Sequence, residues 1–236
     1  MLARNYMHTR DRVHPMSPST DTLEETHMAG RIEGKRIAIL CTHGVELLEL
    51  IEPRQALEDA GAKTVLIAPA AGKIRAWNMT EWDREFDVDM PLTEASHQEF
   101  DALHLPGGPL NAEILRADDF AVFFVNEFFF KRNKPVSALC HAPWILVEAD
   151  LLRGRKVTSY PAIATDLQNA GAHWLNHAVV VDGNLVTGRH PADTPEFNPA
   201  MIELFATYKG DPSLTAGGLP RTITRDEISP KSAAMA

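Results

Sequence analysis

The sequence predicts a doubly wound α/β layer sandwich with a mostly parallel sheet and a C-terminal hairpin. Three observations predict it. Short, unbroken apolar runs alternate with segments of helical period. The first three segments read strand, helix, strand within one short stretch, the unit that builds parallel sheets. Near the end, Asp182-Gly183 separates two short apolar runs, a hairpin signal.

The elements follow in order. Arg36 to Cys41 is a continuous apolar run, as expected of a strand buried on both faces. Thr42-His43-Gly44 makes a loop. Val45 to Ala60 carries Leu47, Leu48, Ile51, Ala56 and Leu57 at helical spacing, with Gly61 just beyond as a cap. Lys63 to Ala68 is the second buried strand. Residues 71–92 form an excursion, with edge strands expected over Lys73 to Trp77 and Glu85 to Val88. Ala102 to Leu105 is the next strand and ends in Pro106-Gly107-Gly108. A Phe-rich helix follows, carrying Phe123, Phe124, Phe128 and Phe129. Val136 to Leu139 is a strand that enters Cys140, and Ala142 to Asp150 reads as a helix. Strands are expected over Lys156 to Ser159, Ala178 to Val181 and Asn184 to Val186. Helices are expected over Ile163 to Ala170 and Phe197 to Tyr208.

One domain is expected over residues 35–209. Residues 1–34 read as a mobile extension or a docking segment, and 210–236 as a tail. Hydrophobic residues make up 44% of the 236, enough for a sizeable core. The net charge of −9 argues against nucleic acid as a partner, since binding phosphates takes a basic face. No stretch reaches the roughly 18 apolar residues of a membrane span, and Met1 to Gly34 holds no apolar signal core. The cytoplasm is the expected compartment. There, the two cysteines, Cys41 and Cys140, are expected to be free thiols.

Chemistry in such sheets gathers at the carboxyl ends of strands. Cys140 stands where a strand turns sharply into a helix. That junction pushes the side chain out of the sheet, near backbone N–H groups and a helix N-terminus that favour a thiolate. The same position also suits an inert, buried thiol. His141 follows it and can act as acid or base if it faces the same pocket. Glu46 and Glu49 lie three apart on one helix face. Glu49 can reach the sulfur; buried beside an apolar sheet, it would have a raised pKa. Glu46 fits a solvated face or a helix-dipole partner. Gly107 and Gly108 let the backbone approach a reacting group, with N–H groups for an oxyanion. Arg189 and Asp193 either rim the pocket or pair structurally. His43 ends strand one and lies near the site; His97 and His104 read as structural. The ten histidines show no metal-ligand spacing, and no phosphate loop occurs, so neither metal nor cofactor is expected.

Taken together, three stretches resemble the ThiJ/PfpI superfamily. They are Gly44-Val45-Glu46-Leu47-Leu48-Glu49-Leu50, Leu105-Pro106-Gly107-Gly108 and Ala138-Leu139-Cys140-His141-Ala142-Pro143. Thr158-Ser159-Tyr160, Asp166 to Ala172 and Val180 to Thr187 are similar to the PfpI branch. The resemblance covers roughly residues 34–208. It implies a flavodoxin-like three-layer sandwich, homodimeric or larger, with Cys140 as nucleophile on a strained elbow. It implies that Glu49 hydrogen-bonds the sulfur, that His141 is its partner, and that the Gly108 and His141 N–H groups hold an oxyanion. It also implies a tyrosine, Tyr160, beside the nucleophile. The chain departs from the branch at Thr187-Gly188-Arg189-His190-Pro191 and Asp193-Thr194-Pro195, at the pocket rim. The implied activity is that of a stress-response cysteine hydrolase acting on a small carbonyl, a glycated or dicarbonyl adduct, or a peptide. The rival is a redox-responsive protein whose Cys140 is oxidised to sulfinate without a substrate. A class I glutamine amidotransferase would need a His-x-Glu pair that His190-Pro191-Ala192 does not supply.

Overall fold

Unbroken apolar runs become strands buried on both faces. In β1 (Arg36–Leu40), Ala38 and Leu40 pack toward one side of the sheet, Ile37 and Ile39 toward the other. The computed structural model describes residues 30–131 and 133–210. β1 leads into α1 (Leu47–Asp59), which closes in a Schellman motif: the Gly61 N–H donates to the Glu58 carbonyl and the Ala62 N–H to that of Leu57. β2 (Lys63–Ala68) returns parallel to β1.

A seven-stranded sheet forms in the order β10-β11-β7-β6-β1-β2-β5. Its other strands are β5 (Met90–Pro91), β6 (Ala102–Leu105), β7 (Val136–Leu139), β10 (Val179–Asp182) and β11 (Leu185–Gly188). Every pairing is parallel except the β10–β11 hairpin around Gly183. From β1 the chain winds outward through β2, then crosses back to lay β6 on the other side of β1. That reversal opens a crevice at the carboxyl ends of β1 and β6, with β7 next to it. α1 and α6 (Thr194–Thr207) pack on one face. On the other lie α2 (Pro109–Arg116), α3 (Asp119–Asn126), α4 (Pro143–Glu148) and α5 (Ala164–Asn169).

Several elements differ from expectation. Of the excursion, only β5 joins the main sheet. β3 (Lys73–Asn78) and β4 (Glu81–Asp87) pair only with each other. β3 buries Ile74 and Ala76 against α1 and β2, while β4 stays mostly exposed, so the hairpin lies over the sheet edge. Two backbone bonds dock it on the loop after β1: Gly44 N–H to the Arg75 carbonyl and Trp77 N–H to that of Val45, both 2.8 Å. The strand expected over Lys156 to Ser159 shortens to β8 (Lys156–Val157), which pairs with β9 (His173–Trp174) in a separate ribbon. Thr158 leaves the ribbon because its N–H bonds the Thr187 hydroxyl.

The segment after Gly108 holds two helices, divided where Asp118 caps the N–H groups of Phe120 and Ala121. α3 runs on into one π turn, Glu127–Lys131, and Phe124, Phe128 and Phe129 are buried in the core. Most of the expected extension and tail lie outside the described residues. Residues 30–34 belong to the body: Ile32 is buried beside Leu57 and Phe205, and its N–H bonds the Ala60 carbonyl. No helix among the described residues is long and apolar enough to cross a membrane.

Candidate active site

The ends of β1, β6 and β7 are neighbours in the sheet, so the residues just beyond them converge. Cys140 follows β7 directly and sits at φ +60°, a left-handed conformation that costs a non-glycine residue about 1–3 kcal/mol. Two backbone bonds hold the strain in place. The Cys140 N–H donates to the Gly188 carbonyl at 3.0 Å, and its carbonyl accepts from the Tyr160 N–H at 2.8 Å. Neighbouring strands and the loop after β8 thus force the elbow. Only 5% of Cys140 is exposed.

Three kinds of group meet the sulfur. His141 Nδ1 lies 3.2 Å away. The N–H groups of Gly108 and His141 lie beside the sulfur and favour its anionic form. The Glu49 carboxyl, fully buried on the first turn of α1, is the acid beside it. Glu49 Oε2 accepts the Gly107 N–H at 2.8 Å. The side chain that reaches the carboxyl is the Cys140 thiol. That contact is not aligned as a regular hydrogen bond, and Oε1 is left buried without one.

The charges differ from the sequence expectation of a ready thiolate. Burial, and after it the Glu49 charge, pushes the Cys140 thiol up; the Gly108 and His141 N–H groups pull the other way. The helix contributes little, because α4 has 6 residues and begins three positions later, at Pro143. Burial raises Glu49 to about 8. At neutral pH the carboxyl therefore keeps its proton, and the repulsion that opposes a thiolate is switched off. Oε2 accepts the Gly107 N–H, so the proton belongs on Oε1, the oxygen left without a partner. Burial lowers His141 to about 4, so its imidazole is neutral.

The Gly107-Gly108 loop is shaped to fit these groups. A Cβ on Gly107 would strike Glu49 Oε2 and come within 2.6 Å of the Leu139 carbonyl and 2.8 Å of Cys140 Cβ. Its N–H is held by Glu49 and is not free to hold an oxyanion, contrary to the sequence reading; the N–H groups left beside the sulfur are those of Gly108 and His141. Asn111, buried on α2, donates Nδ2 to the carbonyls of Pro106 (2.9 Å) and Gly107 (3.0 Å), while its Oδ1 accepts the Thr42 N–H at 2.7 Å. The sequence reading missed Asn111. Its place three residues past Gly108, at the start of a helix, was the available signal.

The remaining candidates separate. Tyr160 stacks on the His141 ring at 4.8 Å between centroids, and Trp144 meets the same ring edge-on at 5.4 Å. Glu46 is buried at the N-cap of α1; its N–H bonds the Gly107 carbonyl and its Oε1 accepts the Met79 N–H. It is neither a solvated face nor a ligand of the sulfur, and its charge helps raise Glu49. Arg189 does not reach in. Its guanidinium grips Asp193 through two bonds, at 2.9 and 3.2 Å, and Asn176 through a third. His43 is exposed and accepts the Arg75 N–H, anchoring the hairpin instead of lining the site. Among the described residues, no carboxylate pairs with His141, and no cluster of three or more His, Cys, Asp or Glu is placed to hold a metal ion.

Fold and site together define an α/β sandwich with a cysteine on a strained elbow, an acid beside the sulfur and two main-chain donors around it. The chain belongs to the DJ-1/PfpI family, whose model matches residues 35–204. Among curated relatives, it is 40% identical over 169 residues to "Deglycase TK1284" of Thermococcus kodakarensis, covering 72% of this chain and 98% of that one. It is 39% identical over 170 residues to "Putative cysteine protease YraA" of Bacillus subtilis, with the same coverage. Among solved structures it is similar to a two-domain Anabaena variabilis protein with DJ-1/ThiJ/PfpI-like and ferritin-like domains. That match has a TM-score of 0.68 and 36% identity, over 81% of this chain and about half, 51%, of the other. The fold is shared with Drosophila melanogaster DJ-1beta, at a TM-score of 0.67 and 24% identity over 73% of this chain and 91% of that one.

Proposed function

We propose that this chain is a cysteine-nucleophile hydrolase of the stress-response type that acts on small dicarbonyl compounds or their adducts. One observation carries the reading: the Cys140 sulfur is met at once by His141 Nδ1 at 3.2 Å and by the N–H groups of Gly108 and His141. In the proposed first step the thiol proton moves to His141 Nδ1 as the sulfur pair bonds the carbonyl carbon. The carbonyl π pair moves to oxygen, where the Gly108 and His141 N–H groups stabilise it. Protonation by His141 gives a hemithioacetal; its carbon-bound hydrogen then moves as a proton to the adjacent carbonyl carbon while the hydroxyl proton passes to that carbonyl's oxygen, which leaves an acyl thioester, and water attacks the thioester to release a 2-hydroxy acid and the Cys140 thiol. Protonated Glu49 does not repel the charge that develops on sulfur during this transfer.

A small substrate is favoured over a peptide on two counts. Cys140 is 5% exposed, which suits a compact carbonyl better than a polypeptide. No described carboxylate orients His141, so the third member of a peptidase triad is not found among the described residues. The relative named a deglycase agrees with this choice; the relative named a cysteine protease keeps the peptide arm worth testing. Assembly into a homodimer or larger oligomer remains part of the proposal, with sedimentation as its check. The deciding experiment compares wild type with Cys140→Ser on methylglyoxal-modified N-acetylcysteine and on a fluorogenic peptide. Wild type is expected to clear the adduct, spare the peptide, and lose the activity on substitution. Full turnover by Cys140→Ser would end the proposal.

A further inference from the structure

α1 contains a proline, Pro53, in its interior. In a helix the N–H of residue 53 would donate to the carbonyl of residue 49, four positions earlier. Proline has no N–H, so the Glu49 carbonyl is denied its helical donor. This is the residue whose side chain meets the nucleophile.

His104, on β6, replaces that donor. Its Nε2 lies 3.2 Å from the Glu49 carbonyl oxygen, and its Nδ1 lies 2.9 Å from Ser137 Oγ on β7. All three residues are fully buried. A carbonyl oxygen only accepts, so Nε2 must carry the hydrogen. The ring is held neutral by burial, so Nδ1 is bare and accepts from the Ser137 hydroxyl. The remaining neighbour with a ring is Phe197 of α6, tilted at 6.1 Å. Three residues beyond His104, the same chain segment supplies the Gly107 N–H that holds Glu49 Oε2. The segment from β6 thus grips Glu49 twice, by its main-chain carbonyl and by its carboxyl.

We propose that His104 is a positioning residue for the Cys140–Glu49 pair: its Nε2–H, aligned by Ser137, substitutes for the donor that Pro53 lacks and fixes where the carboxyl meets the sulfur. The inference rests on Glu49 acting on the thiol, as read above.

The test follows Cys140 alkylation by iodoacetamide against pH, together with kcat and KM on the methylglyoxal adduct, in the full chain. His104→Leu is expected to move the alkylation profile along the pH axis and to lower kcat about tenfold with little change in KM, the effect of one lost hydrogen bond at a reacting pair. His104→Gln, whose amide keeps an N–H near Nε2, is expected to restore the wild-type profile even if it melts lower. A profile unchanged in His104→Leu, or displaced equally in both variants, overturns the inference. Glu49→Gln runs beside them. If it leaves the profile unmoved, the reading of Glu49 itself fails; if it moves the profile and His104→Leu does not, only the positioning role fails. Should His104→Leu not fold, nitrogen-15 histidine spectra of the wild-type chain decide. A protonated Nε2 and bare Nδ1 at neutral pH support the inference, and the opposite tautomer overturns it.

Discussion

Asn111 sets the direction of the Gly108 N–H. Its Nδ2 holds the Gly107 carbonyl at 3.0 Å, and the Glu46 N–H holds the same oxygen at 3.2 Å. A trans peptide points its oxygen and its hydrogen opposite ways, so a fixed Gly107 carbonyl aims the next N–H at the Cys140 sulfur. Asn111→Ala is expected to lower kcat/KM roughly tenfold, with kcat carrying the loss. It also strands the buried Thr42 N–H, and a penalty of about 2 kcal/mol should lower Tm by roughly 4–8 °C. Kinetics and calorimetry on the one variant read both.

Glu49 gives a pH dependence of known sign. Its pKa is raised from 4.5 to about 8 in the folded chain. Between these values the folded state holds a proton that the unfolded state releases, so stability falls as pH rises through this window. Glu49→Gln removes the contribution. Its Tm is expected to decline less than that of wild type between about pH 5 and 8. Parallel Tm curves would show that Glu49 ionises normally.

His104 and His141 act on the acid side with the opposite slope. Both are lowered from 6.5 to about 4. Between about pH 6.5 and 4 the unfolded state takes up protons that the folded state refuses, so stability falls as pH falls. His141→Gln is expected to flatten the acid limb of a Tm-against-pH curve, and to lower turnover sharply at every pH.

Gly107→Ala places a methyl group against Glu49 Oε2, the Leu139 carbonyl and Cys140 Cβ. We expect loss of activity below one per cent of wild type, on the order of 3 kcal/mol in the barrier. Gly154→Ala is the control. A Cβ there meets nothing within 4 Å, but the position has φ +75°. It should cost roughly 1–2 kcal/mol of stability and leave kcat/KM unchanged.

The two cysteines differ in surroundings. Cys41 is fully buried and its thiol is pushed far up by burial. Mass spectrometry after iodoacetamide treatment of the folded chain should find label on Cys140 and none on Cys41 until denaturant is added. Peroxide should likewise give sulfinate at Cys140 alone. A chain that forms this sulfinate and turns over no carbonyl substrate would favour the redox-responsive reading.

Much of the fold was legible along the chain because burial on both sheet faces leaves runs that no amphipathic helix shows. β1, β2, β6 and β7 read clearly for that reason, as did the hairpin around Gly183. The hairpin β3–β4 was legible as two strands, but not as a separate ribbon. Whether a strand joins a sheet depends on which edge is open beside it, and β5 takes the edge of β2.

The site divides in the same way. The sequence by itself determined that a cysteine follows a buried strand, that an acid sits on the first helix, and that a Gly-Gly turn ends a third segment, because these are local facts of pattern and residue type. Only the tertiary structure decided which of them meet. It brought Glu49 and the Gly108 N–H to the sulfur, gave the Gly107 N–H to the acid, left Arg189 with Asp193, and drew Asn111 and His104 in to support the loop and the helix. It also buried the thiol, and burial disfavours the thiolate that the elbow alone would favour. Burial depth is not a property of any one stretch of chain; it arises from residues far apart in sequence that share one crevice.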